Sequence, residues 1–273
     1  MRLGFIGTGR MGLPMVRRLA EAGHEVRVPG RSAEKRAALA QEDVQVVTDV
    51  PGVGTGADAV LVCVYTDDQV REICLDGGLL DEMPDGSLLV VHTTGSPSTA
   101  ETIAARGAPR GIHVIDSPVS GGPHDIAAGH VTLFVGGADE AVARIRPVLR
   151  SYGDPVLHVG PTGAGQRVKL INNALFAAQI GLLSEAVRLG RRLGVDEAAL
   201  LGALPHGSSA SRALAGVASR GSVAAFAQAT SDFLRKDVDV VRKVAAELDG
   251  DLGSLDDALD ALADTAGWED AGR

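Results

Sequence analysis

The sequence predicts an α/β fold: a mainly parallel sheet with covering helices over residues 1–161, then an all-helical region over 162–273. Three observations predict it. Short β-branched runs alternate with helix-like segments through the first 160 residues, the order of an α/β unit. Most of those runs are continuously apolar rather than alternating, as strands covered on both faces are. After Gly160 the strand-like runs stop and the texture becomes helical. The chain has 273 residues, and a single core stops growing near about 250–300, so two packed units are expected.

In order, the expected strands are Leu3–Gly7, Glu25–Val28, Val44–Val47, Ala59–Val64, Leu88–His92, His113–Ile115, Val131–Val135 and Val156–Val159. Helices are expected between them, among others at Met11–Ala22, Ala33–Ala40 and Ala138–Leu149. Beyond Gly163, Gln166–Leu193 reads as one long helix, with apolar residues at Val168, Ile171, Leu175, Ile180, Leu183 and Val187. Shorter helices follow at Asp196–Leu204, Ser209–Val217, Phe226–Leu248 and Ser254–Thr265. A helix as long as Gln166–Leu193 usually spans two units or an interface, and it is apolar over more of its surface than one small domain covers.

Composition narrows the function. Apolar residues are 45 % and charged residues 22 %, which excludes a disordered chain. The longest unbroken apolar run, Ala59–Tyr65, is far short of the roughly 18 residues of a membrane helix, so no membrane partner is expected. Glycines interrupt MRLGFIGTGRMG where a signal peptide would be apolar, and the cytoplasm is the expected location. The net charge of −9, without a segregated basic patch, and an aromatic share of 3 % argue against nucleic acid. Cys63 and Cys74 read as reduced thiols, and the histidines show no metal-ligand spacing. Glycine is in excess, 35 of 273, which marks turns and close backbone approach to a ligand.

Four motifs carry chemistry. Gly7-Thr8-Gly9-Arg10-Met11-Gly12 follows the first strand and opens a helix, the context of a dinucleotide fingerprint. Its glycines serve a tight turn, close approach of a pyrophosphate and helix–strand packing. The second strand ends Pro29-Gly30-Arg31-Ser32, without the acid that binds a ribose 2′-hydroxyl in NAD sites. Arg31 and Ser32 suit a 2′-phosphate, so NADP is expected, with NAD possible; a solvated surface arginine is the other reading of Arg31. Ser120-Gly121-Gly122-Pro123 reads as a loop entering a helix, with exposed N–H groups and a hydroxyl able to cradle a carboxylate, or as an ordinary turn. Lys169 and Asn173 lie four apart on the long helix and share a face, either a polar site or a solvated stripe. Lys236-Asp237 by itself reads as an ordinary exposed charge pair.

The segments GFIGTGRMGLPMVRRLAEAGHEV, TTGSPSTA, DSPVSGGPHDIAAGHVTLFVGG, GAGQRVKLINN and FLRKDVDV together resemble the β-hydroxyacid dehydrogenase family, collinearly over nearly the whole chain. The resemblance implies a Rossmann-type N-terminal domain, an all-α C-terminal domain joined by the long helix, and an active site in the cleft between them. It implies Lys169 as the catalytic lysine and Asn173 as a substrate-orienting group. It places Ser120, Gly121 and Gly122 on the substrate carboxylate, and Val64, Thr94 and Lys236 on the cofactor. The chain departs from the family pattern at Val64-Tyr65-Thr66, at His92 in place of the usual Asp, at Gly30, and at Pro123-His124-Asp125.

The implied reaction is hydride transfer between a nicotinamide and a small 3-hydroxy acid or its aldehyde-acid counterpart. Lys169 accepts the hydroxyl proton, which requires its pKa to fall toward neutrality. Burial and a positive nicotinamide ring favour that, and a substrate carboxylate opposes it. Reduction of another carbonyl or an imine, and dinucleotide sensing without turnover, are the alternatives. Imine-reducing relatives replace the lysine with Asp or Tyr, so Lys169 favours hydroxy-acid chemistry. A homodimer or homotetramer built through the helical region is expected.

Overall fold

The computed structural model describes residues 1–30 and 32–268. It contains two compact units, Met1–Lys169 and Leu170–Arg273, whose boundary falls inside a continuous helix, Ala164–Arg192.

Among the described residues the first unit has nine strands: β1 Arg2–Ile6, β2 Glu25–Pro29, β3 Gln45–Val47, β4 Ala59–Val62, β5 Leu88–Val91, β6 His113–Asp116, β7 Val119–Ser120, β8 Val131–Gly136 and β9 Gly153–Gly160. Their order is β3-β2-β1-β4-β5-β6-β8-β7, with β9 on β8. Neighbours from β3 through β6 are parallel, with registers such as Leu3↔Ala59 and Leu61↔Val90. β8 runs antiparallel to β6 and β7, and parallel to β9. The first six strands follow the doubly wound order 3-2-1-4-5-6, which reverses direction between β1 and β4.

The continuous apolar runs divide residue by residue between two cores, because successive side chains of a strand point to opposite faces. Leu3, Phe5, Ala59, Leu61, Leu88 and Val90 join Met15, Leu19 and Ile145 on one face. Ile6, Val60, Val62, Leu89 and Val91 join Val53, Leu79 and Ile103 on the other. Helices must cover both faces, since each parallel connection is a crossover.

Several element bounds differ from the sequence reading, and three of the differences have a local reason. β4 stops at Val62 rather than Val64, because the Thr93 hydroxyl takes over the Val64 backbone: Val64 N donates to Thr93 Oγ1 and Thr93 Oγ1 donates to Val64 O, both at 3.0 Å. β7 is an additional strand of two residues, too short to leave a pattern. The long helix starts at Ala164 rather than Gln166, because the Asp116 carboxylate accepts the N–H groups of Gly163 (2.6 Å) and Gln166 (2.7 Å) from outside the helix.

In the second unit, the helices Glu197–Ala203, Arg212–Arg220, Val223–Glu247 and Ser254–Ala266 enclose one face of Ala164–Arg192. Ala177, Ile180 and Val187 of that face meet Leu214, Val217, Leu234, Leu259 and Leu262. Ser211 and Ser222 cap the helices Arg212–Arg220 and Val223–Glu247 with their hydroxyls, which sets starts three residues from those expected. Among the described residues Ala164–Arg192 is the one helix long and apolar enough to cross a membrane. Its Ala177, Ile180 and Val187 are buried in this core.

Candidate active site

The glycine loop has the geometry its spacing implies. Gly7 lies at φ +103°, and a Cβ there would stand 2.0 Å from the Cys63 carbonyl oxygen. A Cβ on Gly12 would stand 1.9 Å from the Gly7 carbonyl oxygen, so the helix Gly12–Glu21 packs hard against the end of β1. At Gly9 a Cβ would meet nothing within 4 Å. The turn is closed on the protein side at Gly7 and Gly12, and open on the outer side at Gly9. No side chain caps the helix's first turn and no acid stands in it, so its N–H donors suit an anion. The residues therefore fit a dinucleotide pyrophosphate. Arg10 is exposed beside this turn, Met11 is half-buried against the core, and Thr8 is buried.

A groove of about 220 Å³ opens at the carboxyl ends of β1, β2 and β4, lined by Gly7, Thr8, Pro29, Lys35, Val64 and Gln69 among others. It lies at the reversal of strand order, where doubly wound sheets bind ligands. Arg31 is outside the described residues. Ser32 is exposed and caps the helix Ala33–Leu39 by accepting Lys35 N at 3.1 Å. Lys35, which carries no motif signal in the sequence, reaches back to donate to the Thr8 carbonyl at 2.9 Å. A larger cavity of about 380 Å³ opens at the amino ends of β1 and β2. There Arg2 is paired with Asp58, and Arg27 donates to the carbonyls of Gly52 and Thr55.

The Val64 N–H is taken by Thr93, so Val64 offers the groove its side chain rather than its amide. Thr94 is half-buried in the turn after β5. Buried beneath that turn, His92 joins it to the connection after β6. Its Nδ1–H donates to the Ser117 carbonyl at 2.6 Å and its Nε2 accepts the Tyr152 hydroxyl at 2.9 Å. A carbonyl only accepts, which fixes this tautomer. Burial brings the His92 pKa down to about 4 and raises that of Tyr152.

The Ser120-Gly121-Gly122 loop differs from expectation at one atom. The Gly122 N–H is not exposed for a ligand: Asp125, three residues on, accepts it at 2.6 Å. Ser120 is half-buried and Gly121 exposed at φ +137°, so the hydroxyl and the turn remain on the surface. Pro123 opens the helix Pro123–Ala127, as the sequence suggested.

Lys169 is buried at the end of the first unit. In the second unit Asn173 and Lys236 meet through Asp237, which sequence reasoning leaves on the surface. Asp237 is buried, accepts Nδ2 of Asn173, and lies with Oδ1 3.1 Å from Lys236 Nζ, an ion pair out of hydrogen-bond line. The reading of Lys236-Asp237 as exposed is thus corrected: on the helix Val223–Glu247, position 237 turns inward with Leu234, Val238 and Val241. Asn173 Oδ1 accepts Asn172 Nδ2 at 3.0 Å, so its amide is held at both ends. Two further residues carry no spacing signal, Gln166 and Asp116, because their partners are backbone groups far along the chain. Among the described residues no cluster suited to a metal ion exists.

Residues 2–160 match the family model described as the NAD binding domain of 6-phosphogluconate dehydrogenase. Residues 163–269 match the one described as NAD-binding of NADP-dependent 3-hydroxyisobutyrate dehydrogenase. The chain belongs to the β-hydroxyacid dehydrogenase family. As a member it is an NAD(P)-dependent oxidoreductase, and the glycine loop is where the family's nicotinamide dinucleotide fits. It is 34 % identical to a 3-hydroxyisobutyrate dehydrogenase of Pseudomonas aeruginosa, over 78 % of this chain and 72 % of the relative. It is 33 % identical, over the same shares, to an NAD-dependent L-serine dehydrogenase of that organism. Among solved structures it is similar to a 3-hydroxyisobutyrate dehydrogenase of Mycobacterium tuberculosis, with TM-score 0.85 and 27 % identity, covering 98 % of this chain and 95 % of the other.

Proposed function

We propose that this member of the family is an NADP-preferring dehydrogenase of small 3-hydroxy acids, or reductase of the corresponding aldehyde acids, with Lys169 as the proton-transfer group. The observation that carries the reading is the buried Lys169, one turn into a helix whose start is bonded to the turn after β5 and to the end of β6. Burial holds the amine away from bulk water, where a bound substrate's hydroxyl can be its proton partner. The relatives' names support the substrate class: 3-hydroxyisobutyrate and serine both carry a hydroxyl on the carbon β to a carboxylate.

A bound nicotinamide supplies the hydride acceptor for oxidation, or the donor for reduction. Lys169 Nζ takes the proton of the substrate hydroxyl, and returns it to the carbonyl oxygen in the reverse direction. Ser120 and the backbone of Gly121 hold the substrate carboxylate; Gly122 shapes the turn while its N–H stays on Asp125. Asn173 orients the substrate with the N–H and lone pair its neighbours leave, and Lys236 contacts the cofactor. Gly7 through Gly12 would hold the pyrophosphate, Thr94 and Val64 would contact the nicotinamide, and Arg31, Ser32 and Lys35 would hold a 2′-phosphate. The chain functions as a homodimer or homotetramer.

Lys169→Met tests the central assignment. General acid–base groups contribute about 10²–10⁴-fold, so turnover of a 3-hydroxy acid with NADP falls by that factor, with little change in NADPH affinity by fluorescence. Near-native turnover in a folded variant overturns the assignment. Loss of cofactor binding together with turnover makes the lysine a structural group.

A further inference from the structure

One side chain bonds both backbone groups that flank Thr94 in the turn after β5. Gln166, buried in the first turn of Ala164–Arg192, donates from Nε2 to the Thr93 carbonyl at 2.7 Å and accepts the Gly95 N–H on Oε1 at 3.1 Å. Its amide thus pairs with both backbone groups that flank Thr94. The backbone N–H of the same residue is one of the two that Asp116 accepts. A Cβ on Gly165 would stand 2.4 Å from the Phe134 carbonyl oxygen, so the helix start sits directly against the strand ends. Residue 166 therefore ties the end of β5, the end of β6 and the start of a helix that brings Lys169 one turn later. The turn it clamps stands at the carboxyl end of the strand beside β4, next to the reversal where a ligand binds.

We propose that Gln166 is a positioning residue for the reaction. It fixes the Thr94 turn against the lysine-bearing helix, so that the surface under the nicotinamide and the proton acceptor keep one separation. The proposal rests on the reading of Lys169 given above. Its chemistry is specific: the clamp needs a donor and an acceptor side by side. An amide has both, a protonated carboxyl has both, and a carboxylate has acceptors only. An ionised carboxyl here would face the Thr93 carbonyl without a proton between them.

That difference makes Gln166→Glu diagnostic. Asp116, Asp67 beside Gly95, Lys169 a turn onward and the exposed Arg167–Glu101 pair are the charged groups around it. Burial and Asp116 both raise the pKa of a carboxyl placed there. Oxidation of a 3-hydroxy acid needs a proton acceptor, so wild-type activity rises with pH. In Gln166→Glu the profile becomes bell-shaped: kcat stays close to wild type at low pH, then falls about tenfold or more as the new carboxyl ionises, with KM little changed. Gln166→Leu is slow at every pH, by about 10²-fold in kcat, the size of a misplacement near 1 Å. Amide hydrogen exchange supplies a readout besides activity. The Gly95 N–H is protected in the wild type and in Gln166→Glu at low pH, and exchanges faster in Gln166→Leu. Wild-type kcat in a folded Gln166→Leu, or a Gln166→Glu profile without a falling limb, overturns the proposal; if Gln166→Leu does not fold, the Gln166→Glu profile decides alone. A wild type that oxidises no 3-hydroxy acid overturns the earlier reading instead, and Gly95 exchange then still reports whether the clamp exists.

Discussion

His92 stands where the family usually has an acid, and it has been absorbed as a neutral, fully bonded ring. Its pKa of about 4, against an ordinary 6.5, means that between those values the unfolded chain binds a proton that the folded chain refuses. Stability from this group is complete above the unfolded value and is lost as pH falls through the window, by about 3 kcal/mol at most. Buried Asp116, whose pKa is raised by burial, acts in the opposite sense above its ordinary value, so the test is a difference. His92→Gln cannot titrate; the loss of unfolding free energy between pH 7 and pH 4.5, from urea titrations, is larger in wild type than in the variant by about 2 kcal/mol. Equal slopes would contradict the buried neutral ring. Lys35 makes a second prediction at this scale, on cofactor choice. Removal of a charged hydrogen-bond donor from a phosphate costs about 1.5–3 kcal/mol, so Lys35→Ala and Arg31→Ala each weaken NADP binding roughly 10–100-fold and NAD much less. Equal losses for both dinucleotides, by fluorescence titration, exclude a 2′-phosphate site there.

Elements here are positioned by close backbone contacts that a helix pattern does not reveal. In the second unit Gly181, on Ala164–Arg192, faces the helix Ser254–Ala266 so closely that a Cβ would stand 1.9 Å from the Ala258 carbonyl oxygen. Backbone cannot turn aside as a side chain can, so Gly181→Ala must push these helices apart, a cost of about 1–3 kcal/mol that outweighs the gain in helix propensity. Gly202, in the short helix Glu197–Ala203, has nothing within 4 Å of its Cβ position. Gly202→Ala stabilises by about 0.5–1 kcal/mol from propensity alone. Thermal melts of the two variants shift in opposite directions. A Gly181→Ala protein that melts at or above wild type would show that the helices have room to spare.

For the whole molecule, the exposed face of the long helix is the feature that a single chain leaves unused. Ile171, Leu175, Leu182, Leu189 and Leu193 are 46–71 % exposed and fall within one narrow stripe at helical spacing. The stripe runs for about 33 Å, at 1.5 Å per residue. An exposed apolar stripe of this length is suited to an interaction site. A second copy of the same helix matches it in length and character, which supports the proposed oligomer. Light scattering gives at least twice the 28.0 kDa chain mass at micromolar concentration, and Leu182→Glu with Leu189→Glu shifts the protein toward monomer. A wild-type monomer, or an unchanged assembly in the double variant, assigns the stripe elsewhere.

By itself the sequence determined the α/β order, the sheet's burial on both faces, the glycine loop and the change to helices after Gly160. Those features are local: strand and helix periods, and turns that only glycine can make, are written in neighbouring residues. The expectation that Arg31 sets cofactor choice rests on the same local signal, a missing acid at a strand end. The tertiary structure decided which polar residues are bonded together. Gln166 and Asp116 lie inside the family's motifs, yet their partners at Thr93, Gly95 and Gly163 are backbone groups that carry no residue identity to read. Asp237 looked like half of a surface pair until the helix turned it inward onto Asn173. The Gly122 N–H looked open until Asp125 reached it. A charge or amide in a sequence says only that a partner is favoured; the fold chooses the atom that supplies it, because burial without a partner uses up a large part of a domain's margin of stability.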